Sequence, residues 1–147
     1  MRRSFRFPSR IWTSIGAKAL TLGNTMYRVP ADLDLSVIVG TDLNMMGLGR
    51  YDVQFHFDSK ATINLQSRAE LLHNGVEVAQ WEEHRNWSKP SFQKLLGQTV
   101  LGFAIPHDRL IEIQFTDGLL LKLYDDFDQF ESMQISFTDD NLPTVII

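Results

Sequence analysis

Tyr124-Asp125-Asp126-Phe127-Asp128-Gln129-Phe130-Glu131 sets four carboxylates among aromatics within eight residues. Two kinds of chemistry use such a strip. A calcium loop needs its oxygens at regular positions, with a central glycine and a distal bidentate glutamate. Asp126, Asp128 and Glu131 have neither that spacing nor the glycine, so no metal site is expected. A contact surface for a basic protein instead combines aromatics at its centre with polar groups at its rim. Asp125, Asp126, Phe127, Asp128 and Glu131 are the residues that would form one. The plainer reading is a solvated loop between strands, with Phe127 and Phe130 folded underneath.

Trp81-Glu82-Glu83-His84-Arg85-Asn86-Trp87 is the second unusual segment. Trp81, Glu82, Glu83 and Trp87 would make a second partner-binding patch. Glu and His together could do acid–base work, and a pocket near Trp81–Trp87 would make the chain a small-molecule-binding module or an enzyme. Adjacent residues on a strand face opposite sides, however, and no third group stands at a recognisable spacing. A loop pinned by its two tryptophans is the plain alternative. The four histidines, His56, His73, His84 and His107, form no HxH or HxxxH pair, and no GxGxxG, P-loop or GxSxG is present. No catalytic residue, metal or cofactor is therefore expected.

Composition narrows the class further. With 147 residues, 44% hydrophobic and 22% charged, the chain suits one soluble domain with an ordinary core. It has no cysteine, which excludes disulfides, thiolate zinc sites and cysteine nucleophiles and leaves a reducing cytoplasm as the expected location. No apolar run approaches the roughly 18–20 residues of a membrane span. Residues 1–31 carry six bases and no acid (+6), whereas the rest carries eight bases and eighteen acids (−10). An acidic body repels phosphate backbones, so no nucleic acid is expected as a partner, and a basic protein is favoured.

The domain reading is a basic leader over 1–30 and a single domain over 31–147. Ile11, Trp12, Ile15, Ala19 and Leu22 recur at helical spacing and predict a short amphipathic helix over 10–22 that stops at Gly23-Asn24. Three readings of the leader stay open: a helix docked on the body, an over-extended start with Met26 the true beginning, or a membrane-surface or targeting segment.

The elements that must position the candidate residues come from an internal similarity. Gly49–Leu65 (GRYDVQFHFDSKATINL) lies over His107–Leu123 (HDRLIEIQFTDGLLLKL) at an offset of 58 residues. Val53, Phe55 and Phe57 meet Ile111, Ile113 and Phe115, while Ile63 and Leu65 meet Leu121 and Leu123. Each copy is preceded by a glycine and an apolar strand, beginning at Val39 and Leu96. Period two predicts these apolar residues inward and Gln54, His56, Glu112 and Gln114 outward. Gly118 supplies the positive φ of a tight turn; Asp58-Ser59-Lys60, without glycine, predicts a longer or looser one.

The fold class is thus mainly β (α+β): two duplicated antiparallel β-meanders, in one sheet or two packed sheets, making similar halves of about 35–80 and 91–147. Asn74-Gly75 marks a further hairpin, and Ser91 caps a short helix over Phe92–Leu96 that stops at Gly97. Phe130–Phe137 reads as another strand, and the PTVII tail as a last one.

The second half resembles a group of small uncharacterised bacterial β-rich proteins. The likeness rests on L-x-G-x-x-V at Leu95–Val100, F-x-D-G at Phe115–Gly118 and the Glu131-Ser132 pair, and covers about residues 95–147. Some such proteins look like immunity proteins that bind and neutralise a toxin. The resemblance implies a non-enzymatic protein-binding module, an immunity-type inhibitor, and brings no catalytic residues; the charge of the body makes a basic protein its expected partner. Exposed strand edges would also suit a homodimer.

Overall fold

The computed structural model describes residues 27–82 and 90–147. Ten strands run through them. The first five are β1 (Leu43–Leu48), β2 (Val53–Phe57), β3 (Ala61–Leu65), β4 (Arg68–His73) and β5 (Val76–Glu82). The second five are β6 (Val100–His107), β7 (Leu110–Phe115), β8 (Leu119–Tyr124), β9 (Met133–Phe137) and β10 (Val145–Ile146). They form two five-stranded antiparallel sheets, ordered β10-β9-β3-β2-β1 and β5-β4-β8-β7-β6. No helix among the described residues is long and apolar enough to cross a membrane.

Each meander stays in one sheet, and the hairpin after it crosses to the other. The strands β1-β2-β3 are completed by β9 and β10 from the far end of the chain, and β6-β7-β8 by β4 and β5. Period two drives the packing. Val53, Phe55, Phe57, Ile63 and Leu65 from one sheet, and Ile111, Ile113, Phe115, Leu121 and Leu123 from the other, all belong to one buried cluster. Phe57 and Phe115 stack with centroids 6.4 Å apart and planes 18° from parallel.

Matched hydrogen bonds join the two meanders at the start of β1 and β6. Gly40 N donates to Val100 O at 2.9 Å, and Gly97 N donates to Leu43 O at 2.8 Å. Leu43 N to Gln98 O and Val100 N to Thr41 O form the next such pair, at 3.0 and 2.8 Å. The bridge Asp42–Thr99 lies between them, with Thr99 Oγ1 donating to Asp42 Oδ1 at 2.5 Å. Gly40 and Gly97 adopt φ of 86° and 83°, the left-handed region open to glycine.

Some expectations need correction. The helix expected over Phe92–Leu96 is a 3-10 segment, Pro90–Leu95. Three residues per turn put Phe92 and Leu95 on one side, and both are buried. Fold class is accordingly mainly β, with almost no helix among the described residues. The helix expected over 10–22 lies outside the described residues. The turn Asp58–Lys60 is as short as Thr116–Gly118: Asp58 takes φ 50° itself, as aspartate can, so no glycine is required.

Candidate functional site

The carboxylate strip forms the second of two crossovers between the sheets. The first, Gln66-Ser67, joins β3 to β4 in two residues; the second, Asp125–Ser132, joins β8 to β9 in eight. They touch. Gln66 N donates to Ser132 O at 2.8 Å, and Asp126 N donates to Ser67 Oγ at 3.0 Å.

Asp125 is the anchor. Continuing the alternation of β8, it points inward and its side chain is fully buried. Ser132 Oγ donates to its Oδ1, while Arg28 Nη1 reaches Oδ2 at 3.4 Å and Arg109 Nε stands at 4.0 Å. Burial pushes the carboxyl above its usual range, against the opposing pull of Ser132, Arg28 and Arg109. The arginines also hold the loop backbone. Arg109 donates to the carbonyls of Asp125 (2.8 Å) and Phe127 (3.3 Å), and both guanidiniums pair with Asp128, at 3.2 Å from Arg28 and 3.0 Å from Arg109.

A third arginine covers the other side. Arg68 Nε pairs with Asp126 Oδ2 at 2.7 Å, and its guanidinium lies 3.7 Å from the centre of the Tyr124 ring, a cation–π contact. The hydrogen bond to Asp126 raises the Arg68 pKa above its already high normal value. Tyr124 Oη donates to Glu70 Oε1 at 3.0 Å. Arg68, His107, Arg109, Tyr124, Asp125 and Asp126 line a depression of about 400 Å³ that is widely open to solvent. Three arginines therefore face the carboxylates that the sequence presents as a bare acidic strip.

The expected site residues separate accordingly. Asp126 and Asp128 are exposed, Phe127 and Glu131 half-buried, and Asp125 is held in the interior, so it braces the loop and offers no surface. Phe130, expected beneath the loop, is 71% exposed. The buried positions of its loop are the two ends, Asp125 and Ser132. In the second patch, Trp81 is a core residue opposite Ala69, because β5 turns it inward. Glu82 is half-buried and lies opposite Arg68 in register. Glu83 and Trp87 lie outside the described residues. The structure thus brings Asp125, Asp126, Phe127 and Asp128 together around Arg28, Arg68 and Arg109, and sets Trp81 in the core.

Sequence reasoning missed Arg28, Arg68, Arg109 and Ser132 as site residues. Arg28 is 97 residues from Asp125, and no local pattern announces the pairing. Elsewhere, His56 is taken up by Gln54 (3.1 Å) and Thr62 (3.2 Å) on the outer face of β2 and β3. His107 Nδ1 accepts from Arg109 N at 3.2 Å. No group of three or more His, Asp or Glu suited to a metal ion occurs among the described residues. Comparison with protein-family models, curated proteins and solved structures finds no match to this chain.

Proposed function

We propose that the chain is a non-enzymatic protein-binding module whose contact surface is the crossover loop Asp125–Ser132. The observation that carries this reading is Phe130: a large aromatic, 71% exposed, on a loop whose backbone carbonyls and carboxylates are braced by Arg28 and Arg109. A preordered loop loses little conformational entropy on binding, and aromatic residues, Phe among them, are enriched at protein interfaces. The −10 body favours a basic partner and a steered encounter. Immunity-type inhibition of a toxin in the cytoplasm is the specific form that the resemblance of residues 95–147 suggests. We further infer that the halves descend from one duplicated unit; the matched bonds around Asp42–Thr99 and the like strand orders support this.

Parallel capture from native lysate, at low salt, with the protein and its Phe130→Ala variant tests the reading. A basic protein retained by the first and lost from the second is expected. Because Phe130 is exposed, the substitution should move folding stability by no more than about 0.5 kcal/mol. Equal retention by both proteins would refute the loop as the contact surface.

A further inference from the structure

The way the sheets share strands carries an inference about how the two halves recognise each other. The seam in the first sheet is β3 against β9, with five paired positions from Met133–Leu65 to Phe137–Ala61. The seam in the second is β4 against β8, with six from Arg68–Tyr124 to His73–Leu119. Both are uninterrupted, whereas the β1–β2, β4–β5 and β6–β7 pairings inside the halves each contain a register shift. A half alone would leave its meander two strands short and its hairpin without a sheet. Both inward apolar rows would then face water. The two halves also grip through reciprocal bonds at Asp42–Thr99 and through the Phe57–Phe115 stack.

We propose that residues 27–82 and 90–147 are complementary binding partners, held by strand addition in both directions, whose covalent order is immaterial to the fold. The surface concerned is the edge of β3 that β9 covers and the edge of β8 that β4 covers, with the inner faces behind them. The partner that fits each is the hairpin of the other half of the same chain. Chain geometry allows the order to be reversed: Ser132 N donates to Ile147 O at 2.5 Å and Ser132 Oγ donates to Asp125, which meets Arg28. Ile147 and Arg28 therefore share one corner.

Two rearrangements of the full chain test this. In a circular permutant, Ile147 is joined to Met1 by a flexible linker and the chain is opened between Asn86 and Trp87. In the second protein, a protease recognition sequence is inserted at that same point and cut after folding. The permutant is expected to keep the β circular-dichroism spectrum and a single denaturant transition. The two cut pieces are expected to elute together at the volume of the uncut chain and to separate only in denaturant. A permutant eluting at twice the monomer mass, its halves then pairing between copies, overturns the assignment of each partner to the same chain. An unfolded permutant, or cut pieces that separate in native buffer, overturns it.

Discussion

The Phe57–Phe115 stack offers the sharpest quantitative test of the shared core. Both rings are buried, 0% and 2% exposed, and they sit at matching positions of β2 and β7, one in each sheet. Truncating either to alanine would cost about 3–5 kcal/mol, much of the roughly 5–15 kcal/mol that holds a domain folded. Phe→Leu is the better probe, at roughly 1–2 kcal/mol each, since it keeps most of the buried volume. Matching environments predict that F57L and F115L cost the same to within about 0.5 kcal/mol. The ring–ring contact predicts a coupling of about 0.5–1.5 kcal/mol in the double variant, beyond the area each buries. Urea denaturation of the four proteins, followed by tryptophan fluorescence and circular dichroism, gives every quantity. One transition with an unchanged slope is expected by both probes. Strict additivity, or two separate transitions, would refute the claim that the sheets share one cooperative core.

Three further outcomes follow from the geometry. Arg109→Ala removes donors from two carbonyls and leaves Asp125 with Arg28 and Ser132, so it should cost roughly 1–3 kcal/mol in thermal or urea unfolding. Arg109→Lys should restore little, because an ammonium cannot span both carbonyls as the planar fork does. Asp125 has a folded pKa raised by burial, so the native state binds its proton more tightly than the unfolded state. Its contribution is most favourable below the unfolded carboxylate pKa of about 3.9 and declines as pH rises through the raised folded value. The stability of the native sequence relative to Asp125→Asn should therefore fall with rising pH across that window, and a rise would contradict the assignment. Gly118→Ala places a Cβ 2.0 Å from Asn74 Oδ1 at φ +68°, whereas Gly40→Ala at φ +86° meets nothing within 4 Å. Gly40→Ala should cost the left-handed penalty of about 1–2 kcal/mol and Gly118→Ala more, as read by thermal melts.

What the sequence made legible was whatever period two writes locally. Val53, Phe55, Phe57 and their partners in the second meander point inward as expected, and the Asn74-Gly75 turn stands where its residue types place it, at φ 52° and 85°. The change of sheet was not legible. From Ala61 to Leu71 buried and half-buried residues alternate without a break, straight through the crossover at Gln66-Ser67. Every second side chain keeps facing the core as the chain passes from one sheet to the other, so the pattern holds no mark of the corner. The same continuity hid Asp125, which occupies the next inward position after Leu123. A carboxylate there reads as loop until its arginines, distant in sequence, are known. Trp81 was misplaced for a related reason: its charged neighbours drew attention, while its own place in the β5 alternation decided its burial.

The exchange of hairpins also sets a timetable for synthesis. Strand β3 pairs with β9, Leu65 opposite Met133, so its outer edge waits for residues made 68 positions later. At the roughly 5–20 residues per second of translation, that wait is about 3–14 s, during which β1, β2 and β3 have an apolar face and a bare edge. Contacts so distant along the chain also slow the search for the native pairing once every residue is present. A newborn chain of this design spends its first seconds as an aggregation-prone half-sheet, and its yield in the cell should depend on chaperone capacity and on how closely neighbouring ribosomes follow one another.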